Sequence, residues 1–103
     1  MRSAEIFIHG QRAGLLEETI PAKAYRFTYD QGYSGPPVSL SMPVVDKAYI
    51  YDCFPPFFEG LLPEGYNLDA LLRSRKIDRN DLWRQLVAVG MDTVGVVTVR
   101  EIE

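Results

Sequence analysis

The sequence predicts an α+β fold: a small, curled, barrel-like antiparallel sheet, two or three short helices packed on it, and a closing C-terminal strand. Apolar residues recur with a period of two in the first half, and leucines recur at helical spacing in the second half. The chain then ends in a β-branched run, residues 94–99. Strands, then helices, then one strand indicate an antiparallel sheet with helices on one face or end. We expect residues 1–103 to form one domain, because no linker or repeat divides them.

The first strands are predicted from apolar runs and the turn between them. Residues 6–8 and 13–16 are largely apolar and flank a polar stretch with glycine, residues 9–12, which predicts a hairpin. Tyr25 begins an alternation of aromatic and polar residues that continues to Tyr29. This period of two predicts a half-buried strand.

Two further short strands are expected before the helices. Val38, Leu40 and Met42 alternate with two serines, which predicts a strand that ends at Pro43. Residues 48–51 are rich in tyrosine and predict another.

The first helices are predicted in the middle of the chain. Residues 55–62 begin with two prolines, whose fixed φ suits a first helical turn. Asn67 is a favourable N-cap, and Leu68, Leu71 and Leu72 follow at helical spacing. The sequence therefore predicts a helix that begins at Asn67.

A second amphipathic helix is predicted before the final strand. Asp78 or Asn80 is the expected cap, and Gly90 is the expected C-terminal stop. The apolar positions at helical spacing are Leu82, Leu86 and Val89.

Composition limits the classes of function. The chain has 11 Lys and Arg against 14 Asp and Glu, so its net charge of −3 disfavours direct binding of nucleic acid. No apolar run reaches the roughly 18 residues that a membrane span needs, and an acid at the fifth residue argues against a signal peptide. We therefore expect a cytoplasmic protein without membrane contact.

Catalytic machinery is not predicted. His9 lies in the expected hairpin turn without an orienting acid or a nucleophile beside it in the sequence, so we interpret it as a surface residue. Cys53 has apolar and acidic neighbours and is expected to be a buried structural cysteine. One Cys and one His do not suffice for a Cys/His zinc site, and the glycine-rich phosphate-binding motifs are absent from the sequence. We predict no enzyme, no catalytic residue, no metal site and no cofactor.

The most unusual segment runs from Phe54 to Tyr66. These residues combine four aromatics, three prolines and two glycines. Rigid prolines lose little freedom on binding and aromatic side chains supply large contact areas, which favours a protein-binding surface. The alternative is that the apolar residues at 57, 58, 61 and 62 form the core of a small domain. Tyr66 follows a glycine turn and is the residue of the segment best placed to project outward.

The same segment carries a resemblance to a known family. Residues 57–65, Phe-Phe-Glu-Gly-Leu-Leu-Pro-Glu-Gly, resemble the N-terminal subdomain of HipA-type toxin kinases, which carries a Phe-Phe-x-x-Leu-Leu-Pro element. Residues 90–97 match the later Gly-x-Asp-x-x-Gly-Ala-Val element, except that Val96 stands in the place of alanine. Residues 37–43, Pro-Val-Ser-Leu-Ser-Met-Pro, are similar to a third family segment. The resemblance covers nearly the whole chain, in the right order.

The resemblance implies a function in a toxin–antitoxin system. The chain starts at Met1 and stops soon after the last element, so we expect a stand-alone copy of the subdomain, similar to HipS of three-gene HipBST systems. The implied partners are a HipA/HipT-like serine/threonine kinase and a HipB-like helix-turn-helix protein in a ternary complex, with DNA reached only through that protein. The expected function is an antitoxin that binds and inhibits the kinase. Two alternatives are an assembly adaptor that links kinase and repressor without inhibition, and a detached domain that needs the kinase for its own stability.

The predicted contact with the kinase lies in the unusual segment. Tyr66 is the expected aromatic anchor and Glu64 the expected partner of a kinase lysine or arginine. The residues expected to contact the kinase are Phe58, Glu59, Leu62, Pro63, Glu64, Gly65 and Tyr66.

Overall fold

The structure is a computed structural model that describes residues 1–92 and 96–102. Its sheet has five strands in the order β4-β3-β2-β1-β5, and all neighbouring strands are antiparallel. The strands are β1 (Arg2–Ile8), β2 (Gln11–Ile20), β3 (Ala24–Tyr29), β4 (Tyr49–Tyr51) and β5 (Val97–Ile102). The helices are α1 (Pro56–Glu59), α2 (Gly65–Arg75) and α3 (Leu82–Val89), followed by a 3₁₀ turn, Gly90–Asp92. The α+β class is confirmed, and the sheet stays open at β4 and β5 rather than closing into a barrel.

The β1–β2 hairpin has a two-residue turn. His9 and Gly10 both have positive φ, 53° and 80°, which is the geometry that matches the twist of the flanking strands. The register shifts after Ile6, which pairs with Gly14 while Phe7 pairs with Arg12. This bulge bends the hairpin and contributes to the curl of the sheet.

The predicted strand over residues 38–42 is wrong. The buried hydroxyl of Tyr29 accepts the backbone N–H of Val38 at 2.9 Å and donates to the carbonyl of Met42 at 2.5 Å. These backbone groups are satisfied by a side chain rather than by a neighbouring strand, so the segment forms a loop. Val38 and Met42 are buried, whereas Leu40 is 96% exposed.

Helix α1 begins on a proline as expected, whereas α2 and α3 begin at other residues than predicted. The cap of α3 is Asp81, whose carboxylate accepts the N–H of Arg84 at 3.1 Å, and Gly90 ends the helix as expected. Helix α2 begins at Gly65, where φ is +55°, so Asn67 lies inside its first turn. A glycine adopts this left-handed conformation without the steric cost of a Cβ, which lets the chain reverse directly into the helix.

The core lies between the inner face of the sheet and helices α1 and α3. Its largest fully buried side chains include Trp83 and Leu86 of α3, Phe58 of α1, and Ile6, Leu16 and Phe27 of the sheet. The predicted C-terminal strand returns to pair with β1, and its Val97 and Val99 are buried. Thr93, Val94 and Gly95, which belong to the predicted last strand or the Gly-x-Asp-x-x-Gly element, lie outside the described residues.

An ion-pair cluster joins the first strand to helix α3. The Arg2 guanidinium donates to both carboxylate oxygens of Glu18, at 2.6 and 2.7 Å, and to Asp81 at 3.2 Å. Its Cζ also lies 5.6 Å from the centroid of the Trp83 ring. Glu18 is only 3% exposed, and its carboxylate accepts the N–H of Ala22 as well. The hydrogen bond from Arg2 holds the pKa of Glu18 below its ordinary value.

The substitution Glu18→Gln is expected to cost about 2 kcal/mol of unfolding free energy at pH 7, because a charge-assisted, buried pair is lost. A lowered pKa in the folded state means that the contribution is present above the unfolded pKa of about 4.3 and disappears as the pH falls through the folded value. Urea unfolding at several pH values checks this. The difference in unfolding free energy between the parent chain and the variant should shrink from pH 7 to about pH 3. A difference that stays constant over this range would contradict an ionised Glu18.

Candidate protein-binding site

The segment from Phe54 to Tyr66 begins in the core. Phe58 is fully buried, with its ring centroid 5.8 Å from that of Phe27 and 5.2 Å from that of Phe57. This residue therefore belongs to the core, as the alternative interpretation of the segment has it, and offers no surface to a partner in this conformation. It fixes helix α1 against the sheet.

After α1 the chain reaches the surface of the domain. Glu59 and Gly60 are exposed, whereas Leu61 and Leu62 are half-buried and pack against the core. The N–H groups of Leu61 and Leu62 donate to the carbonyls of Phe58 and Glu59 at 3.1 Å, which continues the tight turn. These hydrogen bonds and the packing of the two leucines therefore hold the backbone that leads to Pro63 against the domain.

The end of the segment is the exposed part. Pro63 is half-buried, and Glu64, Gly65 and Tyr66 are exposed. Tyr66 is 88% exposed, the largest value for an aromatic residue in the described part of the chain. A tyrosine held outward on an anchored backbone offers a large apolar contact area with little freedom to lose on binding.

Helix α2 lies on the surface of the domain. None of its residues is buried, and Leu68, Leu71 and Leu72 reach only the half-buried class. At 100° per residue these leucines occupy one side, while Tyr66, Ala70 and Arg73 share the opposite side and are all exposed. The helix thus attaches to the domain by one narrow stripe and leaves a full face to solvent.

A second exposed apolar residue was missed by the sequence analysis. The loop that carries Leu40 is braced by Tyr29 and by two further tyrosine hydroxyls: Tyr33 donates to the Pro36 carbonyl at 2.6 Å and Tyr49 to the Pro43 carbonyl at 2.5 Å. Burial raises the pKa of the Tyr29 hydroxyl above its ordinary value. The prolines around this loop, residues 36, 37 and 43, were the available indication that the segment is not a strand.

Two residues, His9 and Cys53, were considered for catalytic or metal-binding chemistry. His9 is exposed in the hairpin turn. Cys53 is exposed, so its predicted burial is wrong: it lies in a bend after β4, and the next residue, Phe54, takes the core position. Within residues 1–92 and 96–102, no group of three or more His, Cys, Asp or Glu side chains is arranged to hold a metal ion. Among those same residues, no helix has the length and apolar character needed to span a membrane.

Comparisons with known proteins agree with this description of the domain. Residues 4–100 match the family model of the HipA N-terminal domain. An uncharacterized protein of Haemophilus influenzae is 33% identical over 101 residues, which cover 98% of this chain and 93% of that protein. A solved structure of the N-terminal domain of HipA toxin superposes with a TM-score of 0.77 at 30% identity, covering 100% of this chain and 94% of that one. The matched region is this N-terminal domain and not the kinase domain. The chain belongs to the HipA N-terminal domain family.

Proposed function

We propose that this domain is an antitoxin that binds the kinase core of a HipA-type, HipT-like serine/threonine toxin and inhibits it. The proposed complex is cytoplasmic and includes a HipB-like helix-turn-helix protein as its third member, which alone contacts DNA. Family membership supports this proposal, because it relates the chain to HipA toxin. The Haemophilus relative adds support, since the matched region makes up 93% of that protein.

The observation that carries the proposal is the position of Tyr66. Its side chain is 88% exposed, yet the backbone that leads to it is anchored by the fully buried Phe58. An exposed aromatic residue on a rigid base is the arrangement found at energetic centres of protein interfaces. A monomer gains no burial energy from such a residue, so we infer that a partner covers it.

The proposed contact surface follows from the exposure of the predicted residues. Glu59, Glu64, Gly65 and Tyr66 reach the partner directly, and the half-buried Leu62 and Pro63 form the edge of the contact. The exposed carboxylate of Glu64 suits a lysine or arginine of the kinase. Phe58 supports the surface from beneath.

Inhibition requires only that the domain binds the inactive kinase more tightly than the active one. A domain with equal affinity for the active and the inactive kinase does not shift the equilibrium between them. A hundredfold preference for the inactive kinase corresponds to a difference of about 2.7 kcal/mol in binding free energy. The proposed anchor would hold the kinase in a state that does not bind ATP productively or close on its substrate.

A phosphorylation assay tests the proposal. The purified domain is added in increasing amounts to a HipA-type kinase core from the source organism, and incorporation of phosphate from ATP is measured. We expect phosphorylation to fall to background as the domain saturates the kinase. Binding without any change in phosphorylation would instead support the adaptor, and no association at all would contradict both functions.

A further inference from the structure

Charge is unevenly distributed in this acidic chain. Residues 73–84 contain five of the eleven cationic residues and two of the fourteen acidic ones, so this stretch carries +3 and the rest of the chain −6. The stretch spans the end of α2 and the start of α3. Four exposed cations of this stretch form no ion pair within residues 1–92 and 96–102, and we call them the basic corner: Arg73, Arg75, Lys76 and Arg84. The fifth cation, Arg79, is paired with Asp69 at 2.6 Å.

Helix stability accounts for only part of this cluster. Arg73 and Arg75 lie in the last turn of α2, where cations interact favourably with the helix dipole. Arg84 is different, because it lies in the first turn of α3, where the dipole disfavours a positive charge. Its position is therefore not explained by the stability of its own helix.

Arg84 and Arg75 come from different helices and line one shallow surface pocket. Ile77, Val87 and Ala88 supply its apolar walls, and Glu101 lies at its side. The Glu101 carboxylate accepts the indole N–H of Trp83 at 3.1 Å, and no ion pair joins it to either arginine among the described residues. Within residues 1–92 and 96–102 neither guanidinium group forms an ion pair, and beside Val87 and Ala88 they suit a carboxylate-bearing side chain whose stem packs on these apolar residues.

We propose that the basic corner docks on an acidic surface of the HipA-type kinase and steers its association. This inference rests on the proposed function and adds a second contact to it. Tyr66 and Arg75 are nine residues apart on α2, which places them about 13 Å apart along the helix axis and on opposite sides of the helix. The two contacts therefore lie on different sides of α2, and a kinase that makes both must extend around the C-terminal end of this helix.

An acidic protein surface fits better than DNA. The remaining charge of −6 on this small domain repels a phosphate backbone, and DNA binders carry an extended basic surface rather than four cations.

The test compares two pairs of substitutions in binding to the kinase core by surface plasmon resonance at 50 and 300 mM salt. The double variant R75Q/R84Q is expected to lower the association rate constant at least tenfold at 50 mM salt and to remove most of its salt dependence. The control K23Q/K47Q removes the same charge from two exposed lysines outside the corner and is expected to change the rate less than twofold. The single variant R84Q should keep or raise the melting temperature, which separates weaker binding from unfolding.

Several results would overturn the inference. One is normal association of R75Q/R84Q with the kinase while the parent chain binds. Another is an equal fall in the association rate constant of the control variant K23Q/K47Q. Binding of a promoter-length DNA duplex by the isolated domain, or a dimer of the domain in sedimentation, that R75Q/R84Q abolishes would assign the corner to DNA or to a second copy. Failure of the parent chain to bind the kinase would remove the proposed function itself, and the inference with it.

Discussion

Replacing Gly90 with alanine is expected to destabilise the domain by about 3 kcal/mol or more, the range reached when added atoms meet packing that does not relax. A Cβ at this position would lie 2.0 Å from the carbonyl oxygen of Val99 and 2.9 Å from its carbonyl carbon. The backbone of Gly90 itself, with φ −45° and ψ −46°, suits alanine. The loss of stability would therefore come only from the contact between the added Cβ and the Val99 carbonyl group.

Neither side of this contact is free to move. Val99 is paired with Ile6 in the middle of the β1–β5 ladder, and helix α3 is held by the fully buried Trp83 and Leu86. The expected loss lowers the melting temperature by about 15 °C in a domain of this size. Urea and thermal unfolding followed by circular dichroism would measure it.

Gly60→Ala provides the matched control. Gly60 also ends a helix in the right-handed region, with φ −65°, but the closest atom to its Cβ position is the Phe57 carbonyl oxygen at 3.3 Å. We expect this variant to change the unfolding free energy by less than about 1 kcal/mol, as for a position that relaxes slightly. Equal losses of unfolding free energy in the two glycine variants would contradict the close packing of the 3₁₀ turn against β5.

The sheet was largely predictable because its strands carry local patterns. Tyr25, Phe27 and Tyr29 alternate with polar residues in sequence, and all three are buried in β3. The hairpin was also predicted, with its turn placed over residues 9–12, whereas the turn comprises residues 9 and 10 and β2 begins at Gln11. Each of these features depends on neighbours in the chain, which is why a single sequence contains the information.

The errors arose where the local sequence pattern did not determine the structure. The loop around Leu40 alternates like a strand, but a hydroxyl from β3 occupies the backbone groups that a ladder would use. Cys53 has apolar neighbours, yet the bend after β4 turns it outward. The start of α2 depends on the positive φ of Gly65, which a favourable cap at Asn67 concealed.

The candidate site was also predicted only in part. Composition alone singled out residues 54–66, because aromatics, prolines and glycines concentrate there. It did not tell which aromatic rings enter the core, and the path of the chain after α1 decides that Phe58 is buried and Tyr66 exposed. The basic corner was not noticed in the sequence, because its members come from two helices and the net charge of the chain is negative.

Tyr66→Ala is expected to raise the concentration of domain that half-inhibits a HipA-type kinase by about 30-fold, since truncating a central aromatic anchor costs about 2 kcal/mol of binding free energy. The fold should be unaffected, because the side chain is 88% exposed and makes no recorded hydrogen bond within the described part of the chain. The phosphorylation assay measures the first effect, and thermal unfolding of the isolated domain measures the second. A melting temperature within about 2 °C of the parent value would show that binding, not stability, was changed.

Two further variants make the Tyr66 result specific. Tyr66→Phe keeps the ring and loses only the hydroxyl, so we expect it to retain most of the inhibition if the ring fills a pocket of the kinase. Ile50→Ala truncates another exposed apolar residue, 70% exposed on the edge strand β4, and is expected to inhibit like the parent chain. If Tyr66→Ala inhibits as well as Ile50→Ala does, the aromatic anchor lies elsewhere. Leu40, 96% exposed on its tyrosine-braced loop, is then the next residue to replace, because it is another large apolar side chain held outward by a fixed backbone.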